Sequence, residues 1–288
     1  MDELFQALAQ GLLIGSTYGL LALGMGLIYS VSGIVNFSHG DFVSLGMYLC
    51  FALFSALALD PYVSLAVTLP AMLIIGAVVC RYLIAPVAEA HSLMVVQLTL
   101  GISLALQNLI LMVFGGQPHR VPSVVEAKLV MIGNVVMRMP HVVAFVASLA
   151  LATALFIVLR STDVGRAIRA VHQNARAAAL MGIDVGRVKI GTFAVGIGLL
   201  AIAGALLAPG TPIMPSMGLR YTVITLLALV LGGMTNFLGI MVAGVIIGVS
   251  EAMGMIYLSD TLGMILPYAV FVLIVLFRPE GILGQSRG

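Results

Sequence analysis

The run from Tyr221 to Ser250 reads YTVITLLALVLGGMTNFLGIMVAGVIIGVS and contains no Asp, Glu, Lys or Arg. A helix needs about 20 mostly apolar residues to cross the ~30 Å hydrocarbon core of a bilayer. The run is therefore long enough for one span and part of another. It does not alternate between apolar and polar residues, as the ~10-residue strands of a transmembrane barrel do. Leu226–Leu231 is apolar throughout, and Ala66–Leu73 does not alternate either. Working outward, the stretches 4–40, 42–59, 61–80, 90–119, 139–159, 190–219 and 261–277 are equally free of charge. Over the 288 residues, 61% are hydrophobic and 8% charged, and mean hydropathy is +1.19. A soluble domain carries about 25% charged residues, so this chain has too few to cover a soluble surface. The expected fold is all-α, a polytopic transmembrane helical bundle.

Charge orients the bundle. The segment 160–189 holds Arg160, Arg166, Arg169, Arg176, Arg187 and Lys189, six of the thirteen basic residues, against two acids. Loops rich in Lys and Arg stay cytoplasmic, which places 160–189 inside. Arg81 and the tail with Arg278 and Arg287 suit the same side, and the acidic start (Asp2, Glu3) suits the outside. That start lacks the basic region of a secretory signal, so the first apolar run reads as a retained span. Loop 115–140 carries Arg120, Lys128 and Arg138 yet counts as external. With Pro118, Pro122, Gly133 and Pro140 it reads as a small folded loop. Parity then requires 221–257 to pass twice, with Gly232-Gly233 and Thr235-Asn236 as the break. The expectation is eight or nine helical segments, some discontinuous or re-entrant, in one domain covering 1–288.

Two glycine patterns bear on packing. Gly11, Gly15 and Gly19 share one face of the first span, and Gly244 and Gly248 repeat the spacing. Small residues four apart let helix backbones approach closely in lipid. The segment 33–52 also resembles 232–254, an internal repeat of the kind that transporters use.

Function is sought where polarity interrupts the apolar runs. Gly33-Ile-Val-Asn36-Phe-Ser38-His39-Gly40-Asp41 sets an amide, a hydroxyl, an imidazole and a carboxylate between two of them. Ionisable groups at membrane depth are costly and mark pathways or sites. Alternatively, this is a short interfacial loop in which Asn36 and Asp41 cap helices. Glu251 follows thirty uncharged residues; it either lines a path, pairs with a base, or ends a helix at the interface. His91, His119, His141 and His172 are isolated, so no metal site is expected. Cys50 and Cys80 lie in apolar runs and read as small buried hydrophobes. Net charge of +2 suggests no nucleic-acid partner.

The cytoplasmic segment is the strongest functional feature. Ala167–Gly182 is compatible with a helix that stops at Gly182. Its basic surface and its alanines (Ala175, Ala177, Ala178, Ala179) offer a docking face for another protein. A phosphate-binding loop needs Gly-Lys-Ser/Thr, and neither Lys128 nor Lys189 has that setting. If ATP drives this protein, another subunit hydrolyses it. An intramembrane enzyme finds no support, because neither an HExxH motif nor a Ser–His pairing can be placed.

Four stretches carry a family resemblance. These are the Gly-rich Gly11–Leu27; Asn36-Phe-Ser38-His39-Gly40-Asp41 with Leu45-Gly46-Met47-Tyr48; Gly165-Arg166-Ala-Ile-Arg169 with Asn174, Ala178, Gly182 and Ile183; and Arg278-Pro279-Glu280-Gly281-Ile-Leu-Gly284. Together they resemble the permease subunits of branched-chain amino acid ABC importers, and the H-type more than the M-type subunit. The resemblance implies import of branched-chain amino acids or related small polar solutes, which the motifs do not separate, together with a second, homologous permease chain, two cytoplasmic ATP-binding subunits docked on loops such as 165–183, and a periplasmic solute-binding protein. It further implies a bacterial inner-membrane location, alternating access and no cofactor on this chain, with ATP held by the partner subunits. Asn36, Ser38, His39, Asp41 and Glu251 are then candidates for the pathway or its gate. The runner-up reading is an ion-coupled secondary transporter or channel that uses His39, Asp41 and Glu251 as a relay.

Overall fold

The uncharged run after Glu3 forms one long helix, α1 (Asp2–Ser32), in a computed structural model that describes residues 2–87 and 92–283. His91, Gly284 and Arg287 lie outside the described residues. The chain continues through α2 (His39–Leu57), α3 (Pro61–Val79) with a π-helical extension over Cys80–Ile84, α4 (Ser92–Phe114) and α5 (Met139–Ser161). Two short helices, α6 (Asp163–Gln173) and α7 (Ala175–Leu180), precede α8 (Val185–Leu207), α9 (Met217–Gly232), α10 (Phe237–Tyr257) and α11 (Asp260–Phe277). Among the described residues seven helices are long and apolar enough to cross a membrane, and two more (Met217–Gly232 and Thr261–Phe277) are apolar but shorter. A polytopic helical bundle is what the sequence led one to expect.

Polar side chains mark the starts of several helices. Asp60 accepts from the Tyr62 amide at 3.0 Å, just before Pro61 in the first turn of α3. Asn236 accepts from the Gly239 amide at 3.0 Å and opens α10. Such caps answer helix amides that have no partner inside the helix.

Two ends of the bundle are distinct. At one end Gln6 exchanges hydrogen bonds with the backbone of Val136. There a two-stranded antiparallel hairpin, β1 (Leu129–Ile132) and β2 (Val135–Arg138), forms the body of loop 115–140. Asp60 holds Ser123 and Val124 of the same loop. At the other end α6 lies across the ends of α1 and α5. Ile168 and Val171 are buried against Leu27, Val31 and Leu159, and a ring nitrogen of His172 lies 2.5 Å from the carbonyl of Ser30.

The glycine faces meet one another. A Cβ added at Gly248 would collide with the backbone of Gly15, and one at Gly244 with that of Gly19. α1 and α10 therefore lie backbone to backbone, a separation that only residues without side chains permit.

The helix expected over 167–182 is instead two helices. Asn174 takes an extended conformation between them and accepts from the Ala177 amide at 3.0 Å. A side chain able to cap a new helix here ends the old one. The stop at Gly182 stands, with φ +85.

The α1–α2 and α9–α10 connections share a plan 200 residues apart. Gly33 (φ +65) and Gly233 (φ +91) both turn left-handed after a helix, and Asn36 and Asn236 follow three residues on. Only glycine reaches that backbone region without cost. The helices pair crosswise as well, α1 with α10 and α2 with α9.

Candidate functional site

The α1–α2 connection does not stay at the end of the bundle. His39, the first residue of α2, places Nε2 3.0 Å from the carbonyl of Leu21. Leu21 lies eleven residues before the end of α1, which is about 16 Å along the helix axis. The segment Ile34–Ser38 thus climbs back into the bundle before α2 begins. Asn36, Ser38, His39 and Asp41 are each at most 1% exposed.

Local bonding explains part of this polarity. Asn36 Oδ1 accepts from the Ser38 amide at 3.1 Å and from the Ser38 hydroxyl at 2.7 Å. The Gly40 amide donates to Thr222 Oγ1 at 2.9 Å, and that hydroxyl donates to the Phe37 carbonyl at 3.2 Å. The start of α2 therefore meets the start of α9 inside the bundle. Gly40 and Gly218 make the approach possible, since a Cβ at Gly40 would strike the Gly218 carbonyl and one at Gly218 the Asp41 carboxylate. Asp41 sits against the first turn of α9, where helix amides favour negative charge. Its Oδ1 also accepts from Gln107 Nε2 of α4 at 2.9 Å, and Ser103 lies 3.2 Å from the same nitrogen.

The remainder of the polarity is unanswered. Asn36 Nδ2, His39 Nδ1 and Asp41 Oδ2 are buried without a hydrogen-bond partner. Facing a carbonyl requires a proton on His39 Nε2, which leaves Nδ1 as a bare acceptor. An unpaired buried polar atom costs roughly 1–3 kcal/mol. Three such atoms cluster around the start of one helix.

Glu251 belongs to a separate cluster. On α10 it is ion-paired with Arg220 of α9, and Tyr18 of α1 lies alongside. The Glu251 side chain is 7% exposed and that of Arg220 36%, so of the three sequence alternatives the paired one describes it. Arg220 escaped the sequence reading, although it is the single charge separating the runs 190–219 and 221–250. Gln107 and Ser103 escaped because neither is ionisable. His39 is bound to α1, Asp41 to α4 and Glu251 to α9, so the three residues of the supposed relay serve three different helix contacts.

The basic end carries the third group. Gly165 packs against the Leu159 backbone, Arg169 donates to the Leu159 carbonyl, and Arg166 pairs with Asp163. Ala178 is buried, and the Ile183 amide donates to its carbonyl at 3.1 Å. Gly165, Arg169, Asn174, Ala178, Gly182 and Ile183 thus hold the shape of the α6–α7 unit. What the unit presents is Leu180, 89% exposed, and Met181, 83% exposed. The sequence reading missed both, since an exposed apolar pair looks like any other apolar pair in such a chain. The Arg278–Gly281 stretch closes the same end. Gly281 (φ +86) turns against the α9–α10 connection, and the Ile282 amide donates to the Leu231 carbonyl at 2.8 Å.

These features define a multi-pass helical membrane protein with a broken helix pair buried at its centre and an exposed helical platform at one end. Residues 7–275 match the family described as branched-chain amino acid transport system / permease component, and the chain belongs to that family. It is 31% identical to the high-affinity branched-chain amino acid transport system permease protein LivH of Salmonella typhimurium, over 98% of this chain and 96% of that one. It is 29% identical to the corresponding BraD of Pseudomonas aeruginosa, over 100% of this chain and 99% of that one. A probable branched-chain amino acid permease LivH of Methanocaldococcus jannaschii is 28% identical over 92% and 88%. No solved structure matches the chain.

Proposed function

We propose that this chain is the membrane subunit of an ATP-driven importer of branched-chain amino acids in the bacterial inner membrane. It forms the pathway with a second permease chain, two cytoplasmic ATP-binding subunits dock on it, and a periplasmic solute-binding protein delivers the amino acid. The named relatives support the solute. One observation carries the coupling to ATP: the α6–α7 platform is fastened to α1, α5 and α8 yet ends in the exposed pair Leu180 and Met181. Apolar side chains displayed beyond the membrane helices, on a rigid mount, suit a protein partner. The chain binds no ATP and catalyses nothing; its part is to convert movement of the platform into a change of access at the centre of the bundle. Asn36, Ser38, His39 and Asp41 form the gate region on this reading, and the Arg220–Glu251 pair steadies the outer half of α9 against α10.

The test is purification of the assembled complex. Leu180→Asp with Met181→Asp should leave membrane insertion intact, release the ATP-binding subunits and abolish uptake. Gly182→Asp, which forces a side chain into a left-handed turn, should do the same. Uptake that survives either change in proteoliposomes under an ion gradient, without ATP-binding subunits, would overturn this reading in favour of a secondary transporter.

A further inference from the structure

Buried polar atoms without a partner are not spread evenly along this chain. Among the described residues nine side chains have one, and five of them fall between positions 36 and 48: Asn36, His39, Asp41, Ser44 and Tyr48. Native proteins leave few such atoms, and each calls for an explanation. Asp41, Ser44 and Tyr48 form a set. They follow one another on α2 at intervals of three and four residues, so they share one face of the helix. Each is at most 1% exposed. Asp41 Oδ2, Ser44 Oγ and the Tyr48 hydroxyl are the atoms left over.

The bundle itself does not need this polarity. Two hundred residues on, the matching positions are Met241, Gly244 and Gly248, the face by which α10 lies on α1. On α10 that face is closed by backbone contact. On α2 it is lined with hydrogen-bonding groups, and α4 covers it. Gln107 of α4 donates to Asp41 Oδ1 at 2.9 Å, and the Phe114 ring lies on that of Tyr48 with centroids 4.8 Å apart. α4 packs chiefly on α2 and the π-helical turn after α3, so it can leave this face while α1, α8, α9 and α10 stay packed.

The chemistry of the face selects its occupant. A carboxylate only accepts hydrogen bonds, whereas a hydroxyl also donates. Gln107, with Ser103 Oγ 3.2 Å from its nitrogen, holds Asp41 by Oδ1 and leaves Oδ2 for a cation. Ser44 stands nearly one turn further along, about 4.5 Å at the helical rise, and offers a donor to an anion. Tyr48 offers a second donor about 6 Å beyond it. An α-amino acid carries its ammonium and its carboxylate on one carbon, so its two charges suit the first two stations. We propose that this face of α2 binds the amino acid zwitterion during its passage. Asp41 Oδ2 accepts from the ammonium, Ser44 and then Tyr48 donate to the carboxylate, and Gln107 is a positioning residue for Asp41. The proposal rests on the permease reading above and deepens it, because it gives the membrane subunit a recognition site of its own.

Binding of radiolabelled leucine to the complete complex, reconstituted in nanodiscs without the solute-binding protein, tests this. It is measured with and without ATP and vanadate, so that more than one conformation is sampled. Two competitors divide the ligand: leucinol keeps the ammonium and 4-methylpentanoate keeps the carboxylate. Saturable leucine binding is expected. Asp41→Asn should weaken leucine and leucinol about tenfold, the scale of a charge-assisted bond, and leave 4-methylpentanoate unchanged. Ser44→Ala and Tyr48→Phe should weaken leucine about threefold and leave leucinol unchanged. Ser148→Ala removes a buried, unpartnered hydroxyl on α5 and, as the control, should alter none of the three. Asp41→Asn with Gln107→Glu remakes a carboxamide–carboxylate bond between α2 and α4 with the charge on the other helix. Thermal stability should then match the unaltered complex while leucine binding stays weak. No saturable binding, equal losses of leucine and leucinol in the hydroxyl variants, or full binding by the exchanged pair would each overturn the proposal. So would binding unmoved by every α2 variant, which leaves these atoms to ordered water. ATP-dependent leucine uptake by the unaltered complex with the solute-binding protein is scored in parallel. Its absence, with binding as expected, sinks the importer reading alone, and uptake without such binding sinks the recognition face alone.

Discussion

The two helix pairs that cross at the heart of the bundle, α1–α2 and α9–α10, begin from the same local plan and finish differently. In both, a left-handed glycine ends the first helix and an asparagine follows three residues later. In the second pair Asn236 caps α10 directly, and the connection stays partly exposed at the end of the bundle. In the first, the chain runs on past Asn36 into the interior before α2 starts beside Leu21. The residues at matching positions differ accordingly. Ser38, His39 and Asp41 stand where the second pair has Leu238, Gly239 and Met241. The turn itself therefore needs no histidine or carboxylate, because its counterpart forms without them. The polar group at the start of α2 is an addition to the fold, and it leaves three buried polar atoms unanswered.

The largest effects should be those that break both pairs alike. Gly40→Leu drives a side chain into the Gly218 carbonyl, and Gly248→Leu drives one into the backbone of Gly15. Overpacking a tight core costs about 1–3 kcal/mol even for small insertions, and here the obstacle is backbone. Both variants should fail to accumulate as folded protein, read by membrane abundance and by size-exclusion profile in detergent. Folded Gly40→Leu at normal abundance would show that α2 and α9 do not approach as closely as described.

Next comes the ion pair that only the α9–α10 side possesses. Arg220→Ala leaves Glu251 buried without its ion-pair partner, a loss between the ~1 kcal/mol of an exposed pair and the ~3–5 kcal/mol of a fully buried one, because Arg220 itself is partly exposed. Thermal unfolding of the purified protein should drop strongly. Replacing both partners, with Arg220→Met and Glu251→Leu, should restore most of the loss, because the penalty lies in the orphaned charge. If the double variant is no better than Arg220→Ala, the pair does more than satisfy itself.

The comparison is sharpest at the matching turns. His39→Gln and Asp41→Asn keep the size and the bond to Leu21 or Gln107, so abundance should change little while uptake falls about tenfold or more. Asn236→Ala should do the opposite, costing about 1 kcal/mol through removal of the cap and reducing uptake only in proportion to abundance. Radiolabelled uptake normalised to immunoblot signal separates the two outcomes. Equal behaviour at both turns would mean that the polar group serves folding and not transport.

How far the sequence carried differs between these same regions. Uncharged runs and the Gly232–Asn236 break were enough to give α9 and α10, and Gly11, Gly15, Gly19, Gly244 and Gly248 showed the packing faces of α1 and α10 by spacing alone. The motif at Asn36–Asp41 was visible as an oddity, but its depth was not. Burial depends on where Ile34–Ser38 runs relative to α1, and no local pattern records that. Arg220 with Glu251, and Asp41 with Gln107, are pairs separated by 31 and 66 residues; such partners exist only once helices are packed. In the α6–α7 platform, composition concealed the opposite case, for the break at Asn174 is a single capping residue inside an otherwise helical pattern.

The smallest expected effect lies outside the membrane spans, where Asp60 fastens the loop containing the β-hairpin to the start of α3. Burial alone would push its carboxyl pKa up, but the amides of Val124 and Tyr62 and the Ser123 hydroxyl donate to it and hold it below the ordinary value. A carboxylate whose folded value is depressed adds stability above its unfolded value, near 3.9, and loses it as pH falls through the lower folded value. Asp60→Asn should remove that step, so its unfolding temperature should change less than that of the unaltered protein as pH falls below about 4. At neutral pH the variant must give up a hydrogen bond on one side. Oδ1 serves the Tyr62 amide while Oδ2 serves Ser123 and Val124, and an amide nitrogen in either place would face an N–H. Faster proteolysis within 115–140, with α1 to α11 otherwise intact, would show that the loop tether gives way and the helix cap stays. An unchanged acid response would show that neither tether nor cap depends on the charge.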